Sequence, residues 1–128
     1  MTRVMVVDDD LSTLGLMSRL LQREGFDAVC APGAAEAQVK LDQMADEHRA
    51  PDLILLDVSM PRTDGLTFLG ALRSEPRWKD VPVVMVTALN DTATIERAFR
   101  LGVSGYWVKS RFNWHDVGNR LRAHLRPQ

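Results

Sequence analysis

Short apolar runs alternate with longer amphipathic stretches along the whole chain, and this alternation constrains the fold more than any other feature. The apolar runs predict strands, because they are rich in β-branched residues and apolar at every position. The stretches between them place apolar residues three and four apart, which is typical of helices with one buried face. Strand and helix in strict alternation indicate an α/β protein with a parallel sheet and right-handed crossovers.

The pattern predicts five strands and five helices. The predicted strands are Val4–Val7, Asp27–Ala31, Leu53–Leu56, Val83–Val86 and Tyr106–Val108. The predicted helices are Ser12–Glu24, Gly33–Glu47, Leu66–Ser74, Asp91–Leu101 and Trp114–Arg126. Continuous apolar strands are expected when helices cover both faces of a sheet, as in a doubly wound fold.

Length and composition exclude several classes of protein. With 128 residues, the chain has the size of one domain, and only Pro127 and Gln128 follow the last predicted helix. We therefore expect a single domain over residues 1–128 with no output domain. Sixteen basic against seventeen acidic residues argue against binding nucleic acid by bulk charge. The single cysteine excludes an internal disulfide, and no apolar run approaches a signal peptide or membrane span, so we expect a cytoplasmic protein without membrane insertion.

Polar side chains follow four of the five predicted strands. Asp8 and Asp9 follow the first strand, Asp57 the third, Thr87 the fourth and Lys109 the fifth. Open α/β sheets bind ligands outside the carboxyl ends of their strands. If the first and third strands are neighbours, three carboxylates converge and repel one another, and a hard divalent cation such as Mg²⁺ removes the conflict.

These residue types suit phosphoryl transfer. An aspartate can act as the nucleophile and become an aspartyl phosphate. Lys109 offers a compact positive charge and Thr87 a hydroxyl group for the transferred phosphoryl group. Phosphoryl transfer depends mostly on positioning and charge neutralisation, so these parts are sufficient for it.

With these residues in place, the sequence resembles the receiver domain of two-component response regulators, including the stand-alone members that act in chemotaxis. The resemblance implies a flavodoxin-like sheet with strand order 2-1-3-4-5. It also implies a signalling module that catalyses only its own aspartyl phosphorylation and dephosphorylation. The matching segments, in chain order, are VMVVDDD, DLILLDVSMPRTDG, VVMVTA and GYWVKS.

The resemblance implies a role for each matching residue around the metal. Asp57 is the expected phosphoacceptor. Asp9 and Asp57 are expected to bind Mg²⁺ directly, together with the backbone carbonyl of Ser59. Asp8 is expected to lie just outside and hold a metal-bound water.

The resemblance also implies how phosphorylation is reported. Lys109 is expected to pair with the acyl phosphate and Thr87 to hydrogen-bond it, while Tyr106 acts as the aromatic switch residue. A histidine kinase or histidine phosphotransfer protein is the expected donor. A downstream protein is expected to bind the face formed by the fourth helix, fifth strand and fifth helix, with no direct contact to nucleic acid.

The sequence departs from the family at two informative positions. The strand-five lysine is usually followed by a proline with a cis peptide, whereas Ser110 follows Lys109 here. A non-proline cis bond costs about 2.5–4 kcal/mol, so we expect a reshaped loop that changes partner choice more than chemistry. Leu89, two residues after Thr87, offers no group to orient water, which predicts slow self-dephosphorylation.

Three other functions compete with the phosphorylated switch. A phosphorylation-independent receiver that docks onto proteins is the main alternative, kept open by the Ser110 loop. A haloacid-dehalogenase-type phosphatase needs a second aspartate two residues after its nucleophile, where this chain has Ser59. A flavodoxin-like nucleotide binder needs a phosphate loop after the first strand, where three aspartates would repel phosphate.

Overall fold

Five short strands and five α-helices make up the computed structural model, which describes residues 1–125. The strands are β1 (Arg3–Val7), β2 (Asp27–Ala31), β3 (Leu53–Leu56), β4 (Val83–Thr87) and β5 (Gly105–Val108). The helices are α1 (Leu11–Arg23), α2 (Ala34–Asp46), α3 (Gly65–Ser74), α4 (Thr92–Arg100) and α5 (Val117–His124). Each element lies where the periodicity predicts it, with boundary differences of one or two residues except at the start of α5.

All strand pairs are parallel, and the sheet order is β2-β1-β3-β4-β5. This confirms the doubly wound fold and the strand order that the resemblance implied. Chain order reverses at β1, which lies between β2 and β3. In the register of β1 against β3, Val7 is opposite Leu56, so the residues that follow these two strands emerge side by side.

Two separate apolar cores lie on the two faces of the sheet. Alternate residues of one strand enter opposite cores; Ile54 and Leu56 pack with α2 and α3, whereas Leu53 and Leu55 pack with α1 and α5. Each such fully buried side chain contributes about 1.5–3 kcal/mol. This two-sided burial is the physical reason why the central strands β1, β3 and β4 are apolar at nearly every position. No helix among residues 1–125 has the length and apolar character that crossing a bilayer requires.

The last helix begins later than predicted. Trp114–Asp116 forms a single 3₁₀ turn, and α5 starts at Val117, so the predicted start at Trp114 is wrong; Arg126 lies outside the described residues. The Asn113 side chain accepts a hydrogen bond from the His115 N–H, and the Asn113 carbonyl accepts one from the Asp116 N–H at 3.0 Å. These bonds tighten the first turn into 3₁₀ geometry before the α-helix begins.

The loop after β5 has an all-trans backbone. The described residues contain no cis peptide bond, so the bond between Lys109 and Ser110 is trans. The loop therefore departs from the geometry that is usual in the family, as the serine at this position led us to expect.

Candidate functional site

An acidic cluster lies at the carboxyl edge of the sheet, where β1 and β3 end. One carboxylate oxygen each from Asp8, Asp9 and Asp57 lies within 4.8 Å of the others. Asp8 is 2% exposed and Asp57 is 6% exposed, whereas Asp9 faces solvent. The structure thus brings together the three carboxylates that the sequence predicts at this edge.

Backbone contacts hold the two buried carboxylates in place. The Asp57 N–H donates to the Val7 carbonyl at 3.0 Å, and the Asp8 N–H donates to the Ala31 carbonyl at 3.1 Å, so both residues continue the sheet ladder. Gly65, the first residue of α3, packs directly on the Asp57 carbonyl; a Cβ at this position would lie 2.0 Å from that oxygen. Only glycine permits this approach of helix and strand end.

Side-chain oxygens of the cluster also bind nearby backbone N–H groups. The Ser59 N–H donates to Asp57 Oδ1 at 3.2 Å, and the Asp10 N–H donates to Asp8 Oδ1 at 2.9 Å. One oxygen of each buried carboxylate is therefore bound to the following turn, which orients the other oxygen toward the middle of the site. Asp10 itself caps α1 by accepting from the Ser12 and Thr13 N–H groups.

Lys109 is the cation of the site. Its Nζ lies 2.7 Å from Asp8 Oδ2 and 3.3 Å from Asp57 Oδ2. Its backbone N–H donates to the Thr87 carbonyl at 2.8 Å, which extends the pairing of β4 with β5 by one residue. The sequence predicts Lys109 beside a phosphoryl group; its direct ion pair with Asp8 is a contact that sequence reasoning missed.

One ammonium group does not neutralise three carboxylates. Burial raises the pKa of Asp8, and the hydrogen bond from Lys109 offsets this only in part. Burial lowers the pKa of Lys109, but the bond to Asp8 and the charge of Asp57 outweigh it and raise the pKa overall. The excess of carboxylate oxygens over positive charge suits a hard divalent cation with oxygen ligands, and Mg²⁺ fits this donor set.

Thr87 and Tyr106 are connected through Leu89. Thr87 is fully buried, and its Oγ1 accepts a hydrogen bond from the Leu89 N–H at 3.4 Å. The Tyr106 hydroxyl donates to the Leu89 carbonyl at 2.8 Å, at the protein surface. Burial, together with the negative charges of Asp91 and Asp57, raises the pKa of Tyr106. In the sequence, only the resemblance relates Thr87 to Tyr106. No sequence pattern predicts that the Leu89 backbone connects the two side chains.

Comparison with known proteins assigns the family. The chain matches the response regulator receiver domain over residues 4–117. It belongs to this family. Receiver domains are signalling modules of two-component systems that interact with histidine kinases, and phosphorylation and Mg²⁺ dependence are general in the family.

Two curated relatives show the range of proteins that carry this domain. The chain is 34% identical to the DNA-binding dual master transcriptional regulator RpaA of Synechocystis, over 98% of this chain and 50% of the relative. It is 32% identical to a probable chemotaxis protein CheY of Rhizobium etli, over 84% of this chain and 80% of the relative. The chain therefore spans about half the length of the transcriptional regulators that it matches.

Solved structures of receiver domains share the fold closely. The chemotaxis protein CheY4 of Vibrio cholerae superposes with a TM-score of 0.86 at 29% identity, over 98% of this chain and 99% of that one. The BeF3-activated N-terminal receiver domain of Klebsiella pneumoniae RstA gives a TM-score of 0.83 at 30% identity, over 98% and 100% of the two chains. These likenesses extend over nearly all of the receiver fold.

Proposed function

We propose that this receiver domain is a phosphorylation switch in which Asp57 accepts a phosphoryl group and thereby changes which protein binds. The observation that carries the proposal is the position of Asp57: a buried carboxylate beside two others, with its Oδ2 directed at the ammonium group of Lys109. A histidine kinase or a histidine phosphotransfer protein is the proposed donor.

The proposed reaction is a displacement at phosphorus. A carboxylate oxygen of Asp57 attacks the phosphorus of a phosphohistidine, the phosphorus–nitrogen bond breaks, and the imidazole nitrogen leaves with the bonding electrons and takes a proton. Lys109 shifts its contact from the carboxylates to the phosphoryl oxygens. Asp9, Asp57 and the Ser59 carbonyl would hold Mg²⁺ directly and Asp8 would hold it through a bound water, and the ion would supply positive charge to the phosphoryl oxygens.

The proposed switch uses the connection from Thr87 to Tyr106. A phosphoryl group on Asp57 offers a charged acceptor to which the Thr87 hydroxyl can donate, and this bond is stronger than the 3.4 Å bond in which Thr87 Oγ1 accepts from the Leu89 N–H. When Thr87 turns to the phosphoryl group, the Leu89 backbone and the Tyr106 hydroxyl bound to it become free to rearrange. The change reaches the surface formed by α4, β5 and α5, where we propose that a downstream protein binds.

We propose that this output acts through a separate protein, with residues 1–128 forming one receiver domain. The match to a probable chemotaxis protein supports output through a separate protein, whereas the RpaA relative carries DNA binding in its name. The near-neutral net charge of -1 supports protein contact rather than DNA contact by this domain. Ser59 stands where aspartyl-phosphate phosphatases have a second acid, which supports self-phosphorylation chemistry without turnover of another substrate.

The test is the intact mass after incubation with acetyl phosphate and Mg²⁺. We expect one phosphoryl adduct on the wild type, none on Asp57→Asn, and none after chelation with EDTA. Asp46→Asn, which changes an exposed carboxylate on α2, is the control and keeps the adduct. A wild type without an adduct that also fails to bind beryllofluoride would overturn the proposal in favour of a phosphorylation-independent docking module.

A further inference from the structure

One side chain of the loop that follows Lys109, that of Phe112, turns inward. Among residues 110–113, Ser110, Arg111 and Asn113 are exposed, whereas Phe112 is half-buried. The Phe112 ring stacks on Trp107 with a centroid separation of 4.3 Å and an interplanar angle of 15°. Trp114 also contacts Phe112, edge-on, with a centroid separation of 4.7 Å.

This stack closes a small loop of chain with Lys109 inside it. Trp107 lies on β5, two residues before Lys109, and Phe112 lies three residues after it. Within this loop, the Arg111 N–H donates to the Val108 carbonyl at 2.9 Å, which reverses the chain just past the lysine. The backbone of Lys109 is therefore fixed on its amino side by the sheet and on its carboxyl side by the aromatic stack.

We propose that Phe112 is a positioning residue for Lys109: by stacking on Trp107 it holds the trans loop after β5 so that the ammonium group faces Asp8 and Asp57. The inference rests on the proposed function, since it concerns how well the site receives a phosphoryl group. A lysine side chain is long and flexible, so backbone motion at Lys109 would displace Nζ from its 3.3 Å contact with Asp57 Oδ2. A charge-assisted hydrogen bond to a phosphoryl oxygen requires a short distance, so a displaced ammonium group binds the phosphoryl group more weakly.

The alternative role of Phe112 is to stabilise the fold by apolar burial alone. The two readings differ in what happens when Lys109 is removed. A positioning residue acts through Lys109, so its loss has no further effect in a Lys109→Ala background. A residue that only stabilises the fold weakens the site to the same degree in both backgrounds.

The experiment measures the affinity for beryllofluoride in the presence of Mg²⁺ by ¹⁹F NMR. We expect about tenfold weaker binding for Phe112→Leu and Phe112→Ala, and wild-type affinity for Phe112→Tyr, which keeps a flat ring for the stack. Phe112→Leu retains apolar volume and guards against a variant that does not fold. Phe26→Leu is the matched control, because Phe26 belongs to the same core as Trp107 but lies at the opposite end of the sheet.

The double-variant cycle decides between the two readings. We expect Lys109→Ala and Lys109→Ala with Phe112→Leu to bind beryllofluoride equally. Equal affinities of the wild type and Phe112→Leu, or a full additional loss in the Lys109→Ala background, would overturn the inference while the proposed function stands.

A crystal structure of Phe112→Leu separates the inference from the proposed function. We expect the distance from Lys109 Nζ to Asp57 Oδ2 to exceed 4 Å, which is the limit for an ion pair. An unchanged contact of 3.3 Å would overturn the inference. A wild type that neither forms the phosphoryl adduct nor binds beryllofluoride would overturn the proposed function, and this distance would then decide the inference independently.

Discussion

The two sides of the site are built differently. On the carboxylate side, at the ends of β1 and β3, the adjoining helix α3 buries five residues, and its first glycine touches the backbone of Asp57. On the side of the proposed switch, at the ends of β4 and β5, α4 buries only Ala98. Leu89 is 36% exposed and Phe99 is 49% exposed on this side.

The difference fits the proposed function of each side. Buried carboxylates repel one another, so they stay close only where the backbone holds them firmly. A surface that reports a change of charge needs two arrangements of similar energy, and a helix with little buried area satisfies this requirement. In the proposed switch, a rigid acceptor next to a loosely packed helix would let a local change in charge rearrange a distant surface.

The strongest test of the rigid side is Gly65→Ala. A Cβ at Gly65 would lie 2.0 Å from the Asp57 carbonyl oxygen, so the helix or the strand end must shift. We expect a loss of about 3 kcal/mol in the free energy of unfolding, measured with urea. Gly70→Ala on the same helix has open space around its Cβ and should be neutral or stabilising by up to about 1 kcal/mol. Similar stabilities of the two variants would break the comparison.

The exposed side chain of Leu89 gives the next largest effect. An acid at this position can orient a water molecule toward the acyl phosphate, so we expect Leu89→Glu to shorten the lifetime of phosphorylated protein about tenfold. The measurement is the decay of the phosphoryl adduct with time. Val39→Glu adds the same charge at an exposed position of α2 and should leave the decay unchanged. If Leu89→Glu does not alter the lifetime, the prediction that Leu89 slows self-dephosphorylation is contradicted.

The raised pKa of Asp8 predicts a dependence of stability on pH when divalent cations are chelated. Below the ordinary value of 3.8 the carboxyl is protonated in both the folded and unfolded states and has no effect. As the pH rises, the unfolded chain loses the proton first, so the folded state is destabilised, and this cost persists above the raised pKa. We expect Asp8→Asn to gain about 3 °C in Tm relative to the wild type between pH 3.5 and pH 7 in EDTA.

Added Mg²⁺ checks this electrostatic argument. It should raise the Tm of the wild type by binding the folded state, and should do so less for Asp8→Asn, which has one carboxylate fewer. A difference in Tm between the two proteins that stays constant across this pH range would contradict the assignment of the pH effect to Asp8.

The smallest expected effect belongs to the Tyr106 hydroxyl. Tyr106→Phe removes one surface hydrogen bond, the 2.8 Å contact with the Leu89 carbonyl, and should change stability by less than about 1 kcal/mol. The substitution should weaken the coupling between the phosphoryl site and α4. We therefore expect beryllofluoride to change the hydrogen exchange of α4 less in Tyr106→Phe than in the wild type. A response of α4 equal to that of the wild type would show that the switch does not use this bond.

Much of the fold was accessible from local sequence patterns. The all-apolar runs identify buried parallel strands because side chains on both faces of each strand avoid water. The positions of Asp8, Asp57 and Lys109 are predictable for a related reason, since a charged residue that directly follows a buried strand marks the carboxyl edge of the sheet. The resemblance to receiver domains, rather than any pattern of spacing, supplied the strand order.

Other features depend on contacts between distant parts of the chain. Lys109 and Asp8 are 101 residues apart, and only the placement of β1, β3, β4 and β5 side by side brings their side chains together. The stack of Phe112 on Trp107 is a second such contact, because a ring in the loop after β5 meets a strand residue of the core only once the sheet has formed. Short windows of sequence determine which segments are strands and where their polar ends lie, because burial and backbone geometry are local. Which of those polar ends contact one another was decided by the tertiary structure, because these contacts depend on the simultaneous packing of every element around the sheet.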